Sequence, residues 1–153
     1  FVSVIQLRPY MPQEFQAIEW IAYASNVFNA LVPFYGAINE TPDYLSNTTA
    51  EVSTDNFYWS SRLIAAMADA SYRHSAIHIE RYQRNVMSKG HQILFEYDQL
   101  LQKEKDSTKQ MILKHEANQK IADMLKKETS KTLSLVLNEL SHSMKNAFAR
   151  SDA

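Results

Sequence analysis

All four prolines of this 153-residue chain (Pro9, Pro12, Pro33 and Pro42) fall within its first 42 residues, and only two glycines, Gly36 and Gly90, occur anywhere. Proline has no backbone N–H and breaks both helix interiors and central strands. Regular structure before Pro42 must therefore be short. Beyond it nothing interrupts a helix except Gly90, so long helices are expected. The chain reads as short strands followed by long helices, an α+β arrangement.

The stretch Leu31–Trp59 connects the two regimes. The apolar run Leu31-Val32-Pro33-Phe34-Tyr35 ends at Gly36 and predicts a strand, with Pro33 arguing for an edge position. A polar loop rich in Asn, Thr and Ser follows. Ser53 or Thr54 then offers an N-cap, with Asp55 in the first turn of a helix that opens Phe57-Tyr58-Trp59. Two earlier strands are expected, Phe1–Leu7 and Ile18–Ala24, with Gln13–Gln16 as a connector and Ser25-Asn26 as a turn. Three strands alone do not make a self-sufficient sheet.

The helical part shows three periodic segments. Tyr58, Trp59, Leu63, Met67 and Ala70 have helical spacing, and Trp59 is expected to anchor the core. Ile79, Tyr82, Val86, Gly90, Ile93, Tyr97 and Leu100 form a seam on a second helix, about Ala76 to Lys105. Gly90 on that seam predicts close approach of another backbone, because an interior glycine costs about 1 kcal/mol against alanine. A break is predicted near Asp106-Ser107-Thr108. A third helical region then runs to about Arg150, as one helix or as two split near Thr129-Ser130. Its stripe is Ile121, Leu125, Thr132, Val136, Leu140, Met144 and Phe148, with Leu133 and Leu137 beside it. The expected organisation is a strand-rich segment, 1–52, and a helical segment, 53–153, in one domain.

With 45% hydrophobic and 22% charged residues the composition is that of a folded globular domain rather than a disordered one. A net charge of −1 gives no general attraction to nucleic acid or anionic membrane. No apolar run reaches the roughly 20 residues of a membrane span, and no signal peptide opens the sequence, so a cytoplasmic location is expected. The absence of cysteine excludes disulfides, thiolate metal sites and a cysteine nucleophile within this chain.

Several segments in order resemble a known family. They are V-P-F-Y-G at 32–36, T-P-x-Y at 41–44, S-T-D-x-x-Y-W at 53–59, and Q-x-R-x-x-x-P at 6–12. Together they resemble the late part of the PepD-type cysteine dipeptidases, relatives of the secernins within the N-terminal-nucleophile hydrolases. The resemblance covers about Val4 to Tyr72 and is only general beyond. It implies a fragment of an αββα sandwich whose nucleophile, a cysteine exposed by processing, is not in this chain. It also implies hydrolysis of dipeptides by the parent enzyme, with no cofactor. The expected partners are the N-terminal part of the same enzyme, the parent's dipeptide substrate and a second copy of the chain.

Candidate site residues follow. Arg8 ends the first strand in a segment poor in basic residues and suits a supporting catalytic role, since the superfamily places an arginine near its nucleophile; a structural ion pair is the competing reading. Phe34 and Tyr35 are candidates for a substrate-pocket wall, against the commoner reading that such aromatics are core. His74 and His78 have i,i+4 spacing but lack the H-E-x-x-H pattern and a third ligand, so no metal site is expected. No serine has a G-x-S-x-G setting, and Asn39 and Asn47 in N-x-T patterns read as loop composition. The function class from outside enzymology is a non-catalytic helical scaffold, suggested by the long amphipathic helices.

Overall fold

A computed structural model describes residues 1–144. Strands β1 (Val2–Leu7), β2 (Ala17–Ala22) and β3 (Val32–Tyr35) form an antiparallel sheet in the order β1-β2-β3. Four helices follow: α1 (Asp43–Ser46), α2 (Phe57–Ala70), α3 (Tyr72–Lys103) and α4 (Ser107–Ser143). The α+β reading holds, with the strands first and the long helices after.

In β2 the residues Ile18, Trp20 and Ala22 are buried and alternate with half-buried Ala17, Glu19 and Ile21. This period of two is what one covered sheet face requires. All four residues of β3 are buried, because α3 and α4 both pack on it. Pro33 does sit on an edge strand, opposite Trp20. That edge is closed by α4. The Asn118 side chain accepts from Tyr35 N at 2.8 Å and donates to Tyr35 O at 3.0 Å, mimicking a neighbouring strand. At the opposite edge β1 pairs, among the described residues, only with β2 and is nearly all exposed.

The main core joins β2 and β3 to the facing stripes of α3 and α4, including Tyr82, Val86, Leu94, Ile121 and Leu125. Each fully buried aliphatic here is worth about 2–5 kcal/mol against alanine. A smaller cluster, Ile64, Ala68, Ile79 and Val136, ties α2 to the later helices.

Several boundaries and faces differ from the sequence reading. The cap of α2 is Asn56, whose Oδ1 accepts from Trp59 N at 2.9 Å, and Asp55 lies outside the helix. Ser53 instead accepts from Asp55 N and stabilises the turn before the cap. The buried face of α2 is Phe57, Ser60, Ser61, Ile64, Ala65 and Ala68. The small serines allow close packing, and Ser60 satisfies its hydroxyl on Thr54 O. Trp59 is therefore not a core anchor. It is half-buried and donates from Nε1 to Thr49 O at 2.9 Å, pinning the loop.

Helix α3 starts at Tyr72, because a single residue, Ser71, separates it from α2. Ser71 has φ −128° and ψ 29°, outside the helical region, and its Oγ donates to Met67 O at 2.8 Å. The seam of α3 is buried from Ile79 to Ile93, but Leu101 rather than Leu100 ends it. Gly90 does meet a close neighbour. That neighbour is the Pro33 ring of β3 and not a second helix: a Cβ on Gly90 would lie 2.8 Å from Pro33 Cδ. Asp106 caps α4 through Thr108 N and Lys109 N, and α4 is one unbroken helix. In its stripe Ile121, Leu125, Thr132 and Val136 are buried. Leu137 and Met144 are exposed, and Phe148 and the segment to Arg150 lie outside the described residues.

Candidate functional site

Arg8 sits one residue past β1 and is 6% exposed. Pro9 and Pro12 end the strand, and the turn they form carries the guanidinium inward toward α3. Arg8 Nη1 donates to Asp98 Oδ2 at 2.6 Å, and Nη2 donates to Asp98 Oδ1 at 3.0 Å and to Phe15 O at 2.7 Å. This two-pronged geometry is the one a planar guanidinium makes best with a carboxylate. The guanidinium carbon also lies 5.8 Å from the centre of the Tyr35 ring. Burial opposes the charged form of Arg8, but the hydrogen bond and charge of Asp98 outweigh it, so its pKa is raised.

Tyr35 completes the cluster. Its hydroxyl lies 2.7 Å from Asp98 Oδ1 and 3.1 Å from Leu94 O, sharing one proton between them. Burial, then the hydrogen bond to Asp98, pushes the phenol pKa up, so Tyr35 is a donor at any ordinary pH. Asp98 thus accepts from both Arg8 and Tyr35, and three elements (the end of β1, β3 and α3) meet at one carboxylate. Above them lies a groove of about 170 Å³, lined in part by Gln6, Tyr10, His91 and Phe95. Trp20 fixes one side of it, donating to Gln6 Oε1 at 2.9 Å and packing 5.0 Å from the His91 ring.

The structure brings Arg8 and Tyr35 together through Asp98. Phe34 is also buried, at 4% exposure, among the core residues. His74 is exposed, whereas His78 pairs with Glu139 at 3.1 Å. Among the described residues no group of three or more His, Asp or Glu side chains is placed to hold a metal ion. No helix among them is long and apolar enough to cross a membrane. Sequence reading missed Asp98 and Asn118. The one available signal for Asp98 was an acid directly after seam residue Tyr97, opposite a strand whose only cation is Arg8.

A family model described as peptidase family C69 matches residues 1–85. The chain belongs to this family. The resemblance to PepD-type dipeptidases agrees with its relatives. A probable dipeptidase A from Streptococcus pyogenes serotype M18 is 42% identical over 151 residues, covering 98% of this chain and 31% of that protein. A dipeptidase from Bifidobacterium longum is 36% identical over 188 residues, covering 99% of this chain and 35% of its own length. Dipeptidase A from Lactobacillus helveticus is 26% identical over 138 residues, 89% of this chain and 28% of that protein. The chain spans about a third of the length of the curated relatives it matches.

Proposed function

We propose that this chain is the C-terminal portion of a dipeptidase whose cysteine nucleophile lies in another part of the same protein. The observation that carries this reading is the 42% identity to a probable dipeptidase A across 98% of the chain. In the proposed reaction a thiolate attacks the peptide carbonyl carbon, the C–N bond breaks and the amine leaves with a proton. Water then hydrolyses the thioester and regenerates the thiol. The chain itself has no cysteine to supply that thiolate.

Arg8 serves as a positioning residue in this proposal. Its guanidinium is held in one orientation by Asp98 and Phe15 O and stays charged; the pair with Asp98 is neutral overall, so what it offers at the end of β1 is the unpartnered Nε–H donor. Tyr35 acts through Asp98, and Phe34 acts by packing β3, since both are buried rather than lining the groove. The remaining part of the αββα sandwich is proposed to pair along the free edge of β1, which carries no proline or charged residue between Val2 and Leu7.

The test is a dipeptide panel assayed with this chain alone and with a protein carrying the rest of a family member's length joined to it. The chain alone should give no hydrolysis above buffer. The longer protein should turn dipeptides over, and Arg8→Lys should lower kcat more than it raises KM. Reproducible turnover by the chain alone, or an inactive longer protein that is fully folded, would overturn the reading. The second of these results would favour the scaffold reading instead.

A further inference from the structure

We propose that Lys114 is a positioning residue for Arg8, acting through the loop that joins β1 to β2. Its effect on reaction rate rests on the dipeptidase reading, whereas its effect on the guanidinium does not.

The loop covers residues 8–16 and is closed at its base by Arg8 N, which donates to Gln16 O at 3.0 Å. The carbonyl before that one, Phe15 O, accepts from Arg8 Nη2 at 2.7 Å. The next one back, Glu14 O, accepts from Lys114 Nζ at 3.2 Å. Lys114 lies on α4, 100 residues along the chain. The same ammonium donates to Ala37 O at 3.0 Å, in the turn that follows β3. Ala37 holds φ 51°, a left-handed conformation that L-alanine avoids and that needs support from its surroundings. Lys114 thus joins the β1–β2 loop, the exit of β3 and α4 at a single nitrogen.

An ammonium suits this junction because its three donors turn freely toward carbonyls converging from different segments. Lys114 is 4% exposed and has no carboxylate partner among the described residues. Burial lowers its pKa, and the charge of Glu14 opposes this. A charge buried without a counter-charge is costly, and the two carbonyl contacts are what offset it here. Packing alone would not need the charge, since Met11 and Phe15 are buried and already dock the loop by apolar contact. What apolar contact leaves free is the tilt of the loop's peptide groups, and that is what the ammonium fixes.

The consequence falls on Arg8. Asp98 holds both Nη atoms, but Phe15 O is the contact from a separate segment that sets the tilt of the guanidinium. Arg8 Nε is buried and without a partner, so this tilt decides where its N–H points. Glu14 O and Phe15 O belong to adjacent peptide groups. Freeing the first therefore loosens the second.

NMR of the Arg8 Nε–H group in this chain tests the contact directly. Lys114→Met removes the ammonium at nearly the same length. The Arg8 Nε chemical shift should move and its N–H should exchange about tenfold faster or more, while amides of α3 around Val86 keep their protection. Lys114→Cys alkylated with an aminoethyl group should restore both, and the label is unambiguous because the chain has no cysteine of its own. If Lys114→Met does not fold, Lys114→Gln, which keeps a neutral donor, is read in the same way. In the longer dipeptidase-like protein Lys114→Met should lower kcat about tenfold or more with KM nearly unchanged. Combining it with Arg8→Lys should cost nothing further, because both act through one group. An unchanged Arg8 Nε signal in a folded variant, or losses that multiply in the double variant, would overturn the proposal. An inactive longer protein in which the Arg8 signal still depends on Lys114 would overturn the dipeptidase reading while supporting the Lys114 contact.

Discussion

Gly90→Ala tests the packing of α3 on β3 most directly. A Cβ at this position would lie 2.8 Å from Pro33 Cδ and 2.9 Å from Pro33 Cγ. Carbon atoms in contact prefer about 3.5–4.0 Å, so helix and strand must separate by several tenths of an ångström or more. The obstacle is a ring closed onto the backbone, not the end of a flexible side chain, and Pro33 is itself buried. Over-packing of this kind costs about 1–3 kcal/mol. Alanine recovers about 1 kcal/mol of helix propensity. The net runs from near zero to a loss of about 2 kcal/mol, which for a domain of this size lowers Tm by up to about 8 °C. Thermal denaturation followed by circular dichroism reads it. The decisive control is the same substitution in a Pro33→Ala background, where the ring is gone and only the helix-propensity gain remains. There Gly90→Ala should stabilise. A Tm that rises in the Pro33 background, or a loss equally large in both backgrounds, would refute the contact as the cause.

Three further outcomes are expected. Asn118→Leu should destabilise by about 2–4 kcal/mol, because it strands two buried backbone groups of Tyr35; amide exchange at Tyr35 should accelerate, and unchanged protection there would refute the edge-closing role. Glu128, buried and paired with Lys89 and Asn85, has a lowered pKa: burial raises it, but the Lys89 hydrogen bond and charge win. A carboxylate depressed on folding stabilises above its ordinary value of 4.5 and loses that contribution as pH falls through the folded value. Glu128→Gln should therefore be less stable than wild type near neutrality and converge with it in acid, as followed by Tm against pH. The isolated chain should self-associate along β1, most simply as a two-fold dimer, and Val4→Lys should suppress this in light scattering; a dimer indifferent to Val4→Lys would place the interface elsewhere.

Much of the fold was legible because its signals are local. The proline positions limited the strands, Asp106 marked the turn into α4, and Gly90 identified a point of close approach. What escaped was polar chemistry inside the core. Ser60 and Ser61 face inward on α2, so a reading that follows large apolar residues shifts the helix face toward Tyr58 and Trp59. Ser71 leaves the helical conformation, at φ −128° and ψ 29°, without the glycine or proline that would announce it. Asn118 and Asp98 look like solvent-facing residues of amphipathic helices. Their partners, Tyr35 and Arg8, lie 83 and 90 residues away in sequence, and no periodicity encodes that pairing. Arg8 was found because it is the lone cation of its segment. A structural ion pair was the competing reading, and the Asp98 contact is such a pair.

The two edges of the sheet are treated in opposite ways, and Arg8 explains why this is tolerable. The β3 edge is capped by Asn118 and buried under α4. The β1 edge is open, with Ile5 and Leu7 at 69% and 63% exposure. An uncovered strand held only by β2 would fray, since its burial contributes little. The bidentate pair from Arg8 to Asp98 fastens its end to α3, and removing one partner of such a buried pair costs about 3–5 kcal/mol because the other charge is left stranded. Strand β1 therefore keeps its register although its outer surface is uncovered. The same anchor fixes the guanidinium beside that surface. A positioned cation and an open pairing edge thus follow from one ion pair, and both are lost together if Asp98 is neutralised.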